Sequence, residues 1–180
     1  MSDSVLEQWL ARENEVRALY AQGTGTGSND LEDIRTQTGL ALMQGMMNGT
    51  RPGPSISKTM DFLLVEVASG HAVFQGTPGE KYFNPMGSVH GGWYATLLDS
   101  ALGCAVHTLM PAGRAYTTSQ LSVNLVKAIP KKVQRVRAEG KVVHCGRQLA
   151  TAEARLYGPD GTLYAHATTT CLVFDIPTKS

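Results

Sequence analysis

The sequence predicts an α+β fold in which an antiparallel sheet wraps around one long, buried helix. The first observation is a stretch of helix-compatible composition from Trp93 to Met110 that is apolar nearly all round; such a helix must be buried on most sides. The second is that two short extended segments precede this stretch and four more follow it at hairpin spacing. The third is size: 180 residues, of which 42% are hydrophobic and 17% charged, can bury a substantial core.

The first 52 residues are predicted to form a helical extension, and residues 53–180 the main domain. Apolar positions recur at helical spacing in residues 4–20 and 30–48, and the first of these helices must dock because Trp9 would otherwise lie in water. Glycines at 23–29 can cradle a phosphate in other proteins, but no strand precedes them and no Gly-Lys-Ser/Thr ending follows. We interpret them as a linker.

The main domain is predicted to open with a hairpin, residues 62–67 and 71–75, across the turn signal Ala68-Ser69-Gly70. In the segment predicted at about 148–158, small apolar residues alternate with polar ones. This alternation places one apolar face of the strand towards a bulky neighbour. After the central helix, the extended segments are predicted at about 116–129, 133–145, 148–158 and 162–174.

Asp99 is the only formal charge in the central helix, and no residue one turn away can neutralise it. Burying an unpaired carboxylate is costly, so Asp99 either reaches solvent or a distant donor, or it performs chemistry. Gly91 and Gly92 lie at the start of this helix, where free N–H groups point outward and no side chain keeps a ligand oxygen away. An oxyanion site and a carboxylate on one helix favour the chemical interpretation.

The motif Asn84-Pro85-x-Gly-x-x-His90-Gly91-Gly92, followed by Leu98-Asp99-x-Ala101, closely resembles the signature of hotdog-fold acyl-CoA thioesterases of the phenylacetate-pathway (PaaI-like) group. The resemblance covers about residues 56–174. It implies the hotdog fold, a thioester carbonyl bound by the Gly91 N–H, and Asp99 as nucleophile or general base. It further implies that Asn84 and His90 orient the reacting groups.

Thr118 is also assigned to the catalytic set on the strength of this resemblance. It lies in the strand after the central helix, at a position where the family often carries a hydroxyl that holds the attacking water. With Asp99, Gly91, Asn84 and His90, it completes the predicted catalytic residues.

A run of basic residues between positions 127 and 147 is the candidate coenzyme-binding surface, with Glu139 as the only acid among them. Coenzyme A carries a pyrophosphate and a ribose phosphate, which favour arginine and lysine. Lys131, Arg135 and Arg137, together with Gly92, are therefore predicted to bind substrate. The alternative is a solvated sheet edge whose charges prevent pairing with another sheet.

Three functions remain open at this point: hydrolysis of an acyl-CoA thioester, a non-catalytic acyl-CoA- or ligand-binding hotdog module, and a hotdog hydratase. The hydratase is disfavoured because the Asp-x-x-x-x-His pairing typical of hotdog hydratases is absent; Cys104 follows Asp99 five residues later. The binding module is disfavoured because a pure binder has no need of an unpaired carboxylate near its ligand. Hydrolysis is favoured, with either Asp99 or water activated by Asp99 attacking the carbonyl.

Composition and targeting signals set expectations for partners and location. A net charge of +1 argues against nucleic acid as a partner. The central helix is too interrupted by polar residues to span a bilayer, and no secretory signal opens the sequence, so we expect no membrane partner. The three cysteines are widely spaced without CxxC, which suggests neither a disulfide frame nor a metal site and fits a reducing cytoplasm. No cofactor is expected, because coenzyme A is part of the substrate.

One chain is predicted to be unable to complete the site. Gly91 and Asp99 are eight residues apart, which corresponds to ~12 Å along a helix. A carbonyl bonded to the Gly91 N–H must place its carbon within ~3.5 Å of the attacking oxygen. Two antiparallel helices related by a two-fold axis solve this, so we expect a homodimer. The resemblance implies that such dimers pair further into tetramers.

Overall fold

A six-stranded antiparallel sheet lies against one long helix in this computed structural model, which describes residues 2–177. The α-helices, in chain order, are α1 Ser2–Gln22, α2 Leu31–Thr36, α3 Gly39–Met47, α4 Ser55–Met60 and α5 Gly91–His107. The strands are β1 Thr26–Gly27, β2 Gly53–Pro54, β3 Phe62–Ala68, β4 His71–Gly76, β5 Arg114–Leu125, β6 Val136–Cys145, β7 Leu149–Tyr157 and β8 Leu163–Asp175. The predicted α+β class is confirmed.

The main sheet has the strand order β3-β4-β6-β7-β8-β5, and all neighbours in it pair antiparallel. Strand β5, which follows the long helix directly, therefore forms one edge and β3 the other. The register of β5 against β8 shifts between Thr118 and Gln120, so Ser119 forms a bulge. Strands β1 and β2 form a separate parallel pair.

Helix α5 is buried along one side of the sheet, as its composition predicts. Leu97, Leu98, Ala101 and Leu102 have no exposed surface. The strands meet them with small residues, because the side chains of β7 that face the helix are Ala150, Ala152 and Ala154, all in the same core cluster. These alanines let the helix approach the sheet closely.

Helix α1 packs on the opposite face of the sheet. Its Val16 joins a second apolar cluster with Leu63, Val65 and Val73, residues that alternate with those of the main core along β3 and β4. Trp9 is buried and contacts the Tyr157 ring edge-on at 5.9 Å, which confirms that this helix docks. The division at residues 52 and 53 stays a prediction.

Some element bounds differ from those predicted. The segment 30–48 is two helices, because Thr38 caps α3 by accepting a hydrogen bond from the Ala41 N–H at 3.3 Å. Helix α4 lies in a stretch for which no element is predicted, and it ends at Asp61, whose φ of 51° is left-handed. Strand β5 ends at Leu125 rather than near 129, and Pro130, which has no N–H to donate, lies in the loop that follows. Within residues 2–177, no helix is long and apolar enough to cross a membrane.

Candidate active site

The loop that leads into α5 is held in shape by the Asn84 side chain. Its Oδ1 accepts hydrogen bonds from the backbone N–H groups of Met86 and Ser88 at 3.0 and 3.3 Å. Its Nδ2 donates to Ser88 Oγ at 3.0 Å. An asparagine that bonds its own following backbone fixes a tight turn. Asn84 therefore sets the path of the chain into the helix, and its predicted role in orienting the reacting groups stays a prediction.

His90 is the N-cap of α5. Its ring Nδ1 accepts a hydrogen bond from the Gly92 N–H at 2.9 Å. The backbone N–H of His90 donates to the Tyr82 carbonyl at 2.8 Å. Because a ring nitrogen that accepts carries no proton, the proton of the neutral imidazole lies on Nε2. The cap thus selects one tautomer of His90 and presents Nε2–H as a donor.

The cap also distinguishes the two predicted glycine donors. The Gly92 N–H is used by His90, whereas the Gly91 N–H meets no acceptor in the part of the chain that the structure describes. A Cβ at Gly91 would lie 2.9 Å from Leu125 Cδ1, so the end of β5 covers this first turn closely. Gly91 is therefore the N–H group of this helix start that can bind a ligand oxygen.

Asp99 lies two turns further along α5, half-buried beneath β5. Thr118 Oγ1 donates a hydrogen bond to Asp99 Oδ1 at 3.1 Å. Among residues 2–177, no lysine, arginine or histidine forms an ion pair with this carboxylate. One hydrogen bond orients Asp99 and leaves its other lone pairs available, so the group can serve as a nucleophile or as a base.

The other titratable groups around Asp99 are held neutral. Burial raises the pKa of the Cys104 thiol to about 12, and the charge of Asp99 adds to this effect. Burial likewise raises the pKa of Tyr116 well above its usual range, with further contributions from Cys104, Cys171 and Asp99. A thiol needs its thiolate form to attack. Cys104 is therefore no rival nucleophile to Asp99 at neutral pH.

Arg137 faces away from this site, on the sheet face that α1 covers. Its Nε donates to Gln75 Oε1 at 2.9 Å, its Nη1 pairs with Glu66, and its guanidinium lies 4.6 Å from the centre of the Trp9 ring. Only 8% of Arg137 is exposed. A coenzyme phosphate would have to displace these partners to reach Arg137. A role of Arg137 in coenzyme binding stays a prediction.

Arg135 joins the same group of side chains through Glu13 of α1, which is 3% exposed. Burial alone would raise the pKa of Glu13. Hydrogen bonds from Arg135, Arg17 and Gln75 outweigh burial, and the pKa of Glu13 lies below its ordinary value. Sequence reasoning missed this docking contact because Glu13 and Arg135 are 122 positions apart. Coenzyme binding by Arg135 likewise stays a prediction.

Lys131 lies on the same side of the molecule as the loop before α5. It is largely exposed, with Nζ 3.6 Å from Glu80 and 5.3 Å from the centre of the Phe83 ring. Together with Phe83, Val89 and Ile129 it lines a cavity of about 90 Å³. Of the predicted coenzyme-binding cations, Lys131 is the one that the structure places next to the candidate site.

Comparisons with known proteins show which proteins this chain resembles. Residues 86–165 match the family model of the thioesterase superfamily. A thioesterase family protein of Silicibacter pomeroyi has a similar structure, with 26% identity, a TM-score of 0.62, and coverage of 67% of this chain and 90% of that one. A phenylacetic acid degradation-related protein of Ralstonia eutropha, described as a candidate thioesterase, has a similar fold at 23% identity and a TM-score of 0.66, over 73% of this chain and 98% of that one.

A Halobacterium salinarum protein whose name describes a candidate esterase is 33% identical over 91 residues. The match covers 51% of this chain and 56% of that relative, so the chain spans little more than half of the relative's length. Taken together, the comparisons confirm the predicted hotdog fold, and they confirm the thioesterase-superfamily resemblance over residues 86–165.

Proposed function

Because residues 86–165 match the thioesterase superfamily, we propose that this chain hydrolyses acyl-CoA thioesters in a site shared by two copies. One observation carries the proposal: a single helix holds an unused N–H donor at Gly91 and, eight residues on, a carboxylate that no cation in residues 2–177 neutralises. The first suits a developing oxyanion and the second suits attack on a carbonyl.

In the proposed reaction, the Gly91 N–H of one copy polarises the thioester carbonyl. Asp99 of the second copy either attacks the carbonyl carbon, forming a mixed anhydride that water then hydrolyses, or removes a proton from an attacking water. In both routes the C–S bond breaks, the electron pair leaves with sulfur, and coenzyme A takes up a proton. The Thr118 hydroxyl holds the carboxylate in the orientation that either route needs.

Assembly into a homodimer is part of the proposal. Strand β5 is an edge of the sheet and lies over the Asp99 side of α5, and an unpaired edge strand is a template for pairing with another chain. Leu125 at its end is 55% exposed, so apolar surface remains there for a second copy to cover. Further pairing into tetramers and a cytoplasmic location remain proposals that accompany this one.

The test measures thiol release from a panel of short, long and aromatic acyl-CoAs, with wild type and the nearly isosteric Asp99→Asn variant. We expect wild type to release thiol and Asp99→Asn to lose at least ~10²-fold in turnover, as for a lost base or nucleophile. Binding of acyl-CoA without thiol release from any member would instead identify a binding module. Near-normal turnover of Asp99→Asn would remove Asp99 from the mechanism.

A further inference from the structure

A small cavity lies between the loop that enters α5 and the loop that joins β5 to β6. Phe83 and Val89 line it from the first loop, and Ile129 and Val133 line it from the second. Phe83 and Val89 are held together by an isolated β-bridge. The Ile129 N–H donates to the hydroxyl oxygen of Tyr94, in the first turn of α5, at 2.9 Å. Both loops are therefore fixed against the start of the helix, and the cavity with them.

The position of this cavity relates it to the free N–H group of Gly91. The unbonded N–H groups of a helix start point away from the helix, towards the chain that enters it. Val89, which lines the cavity, precedes Gly91 by two residues, and two residues span at most ~7 Å. A carbonyl that accepts the Gly91 N–H therefore lies beside the cavity. Two larger cavities, beside α1 and at the start of β5, are lined by no residue of this entry loop.

The backbone groups that surround the cavity are already used. The Gly79 carbonyl accepts a hydrogen bond from the Tyr82 N–H at 3.0 Å. The Pro130 carbonyl accepts one from the Val133 N–H at 2.9 Å. Pro78 and Pro130, which also line the cavity, have no N–H to donate. A cavity with apolar side chains and bonded backbone groups favours hydrocarbon over a group that needs hydrogen bonds.

The size of the cavity limits what it can hold. Its volume is about 90 Å³, more than the ~30 Å³ that one water molecule takes up in the liquid and less than the ~150 Å³ of a cavity that holds benzene. The pantetheine part of coenzyme A is longer and carries two amides that need partners, whereas a hydrocarbon group of a few carbons needs none. Lys131 and Glu80 pair with each other at 3.6 Å and are largely exposed, so they border the opening.

We propose that this cavity binds the acyl group of the substrate and restricts it to a few carbons. The inference rests on the proposed function, because it takes the thioester carbonyl to be bound by the Gly91 N–H. Ile129 and Val133 then set the size of the acyl group. They are suited to substitution because their loop lies outside the sheet and outside the helix that carries Gly91 and Asp99.

The experiment measures kcat/KM for straight-chain acyl-CoAs from acetyl to dodecanoyl. We expect wild type to prefer acyl groups of roughly three to five carbons. Val133→Ala and Ile129→Val enlarge the cavity, and Val133→Ala should raise the octanoyl to butanoyl ratio ~10-fold, as for a changed hydrophobic pocket. Ile129→Val removes a single methylene, which a core tolerates well, and should shift the ratio in the same direction. Val133→Phe fills the cavity and should lower the butanoyl to acetyl ratio at least ~10-fold.

Val67→Ala is the matched control. Val67 and Val133 are both half-buried and pack against the same core, but the hairpin that carries Val67 bonds the other end of α5, where the Gly70 N–H donates to Thr108 Oγ1 at 2.7 Å. This variant should leave the chain-length profile unchanged. In parallel, binding is measured for non-hydrolysable ketone analogues of the same lengths, in which a methylene separates the sulfur from the carbonyl.

The outcomes separate this inference from the proposed function. An unchanged chain-length profile in the Val133 and Ile129 variants, by hydrolysis and by binding, overturns the role of the cavity alone. An equal loss of affinity for every chain length in Val133→Phe overturns it too, because the cavity would then hold another part of the molecule. A wild type that hydrolyses no thioester contradicts the proposed function, and the ketone affinities still decide whether the cavity binds the acyl group.

Discussion

The Thr118 hydroxyl donates a 3.1 Å hydrogen bond to the Asp99 carboxylate, and this bond joins edge strand β5 to the middle of helix α5. The contact depends on register. Thr118 pairs with Cys171 of β8 and faces the helix, while Thr117 on one side of it is exposed and Ser119 on the other forms a bulge. The bulge follows Thr118 directly, at the point where the strand passes over the candidate carboxylate.

Replacing Thr118 should therefore impair catalysis more than folding. We expect Thr118→Ala to lower kcat ~10-fold or more, since a hydrogen bond to a charged group contributes about 1.5–3 kcal/mol. Thr118→Ser keeps the hydroxyl and should recover most of the activity. Thr117→Ala, on the exposed side of the same strand, is the control. Steady-state kinetics on the best thioester measures all three, and equal losses in Thr118→Ala and Thr118→Ser would show that the hydroxyl has no such role.

His90 is expected to serve two purposes that one variant series can separate. Its Nδ1 caps the helix by accepting the Gly92 N–H, and its Nε2–H faces outward as a donor. His90→Ala should lower the free energy of unfolding by ~1 kcal/mol, as for other lost N-caps. His90→Asn restores a capping oxygen and should regain that stability.

Turnover measurements then test the second role of His90, donation of a hydrogen bond by Nε2–H. If Nε2–H helps to orient the reacting groups, His90→Asn stays as impaired in kcat as His90→Ala while its unfolding midpoint returns to normal. Recovery of both stability and kcat in His90→Asn would restrict His90 to capping. Thermal unfolding and turnover, measured on the same preparations, decide between the two outcomes.

Glu13 should stabilise the docked position of α1 in a pH-dependent way. Its pKa is lower in the folded chain than the ordinary value of 4.5, so the carboxylate stabilises the fold above that pH and loses this contribution as the pH falls through the folded pKa. At neutral pH, Glu13→Gln should lower the free energy of unfolding by on the order of 3 kcal/mol, because it leaves a largely buried arginine without its counter-charge.

Urea unfolding of wild type and Glu13→Gln between pH 3 and 7 tests this expectation. The difference in the free energy of unfolding between wild type and Glu13→Gln should be largest near neutrality and shrink below pH 4.5. Glu15→Gln is the matched control, because Glu15 is exposed and pairs with Arg12 at the surface, where an ion pair contributes less than ~1 kcal/mol. A constant difference across the pH range would exclude the ionisation of Glu13 as the cause.

The sequence was sufficient to predict the fold, and the candidate site follows from the same local patterns. The all-round apolar helix required a surrounding sheet, and the spacing from Gly91 to Asp99 follows from helix geometry alone. The partners of Arg135 and Arg137 could not be predicted in the same way. Charge alone suggested a phosphate, whereas Glu13 and Gln75 reach them only through the tertiary fold.

Other features of the site also required three-dimensional contacts. The resemblance implies Gly91 as the donor, but nothing in the motif indicates that His90 accepts the Gly92 N–H and leaves the Gly91 N–H free. Similarly, Gly103 and Tyr116 are thirteen positions apart, and no periodicity predicts that the phenol crosses the helix there. Side-chain capping and close packing across elements depend on exact placement, which residue types in sequence do not specify.

The central claim, that two copies build each site, is tested by mixing two inactive chains. Gly91→Pro removes the donor N–H, and proline is tolerated at the first position of a helix. The preceding His90 has φ −65° and ψ 138°, a conformation compatible with a following proline. Gly91→Ala, which adds a Cβ but keeps the N–H, controls for the contact with Leu125.

Thiol release after subunit exchange between Gly91→Pro and Asp99→Asn is the decisive measurement. In a heterodimer, one site combines both defects and the other combines the intact Gly91 of one chain with the intact Asp99 of its partner. Random exchange at equal amounts makes half of the dimers mixed, so we expect about a quarter of wild-type activity. If the mixture stays as inactive as its parents although mass spectrometry shows that heterodimers have formed, the shared site is contradicted.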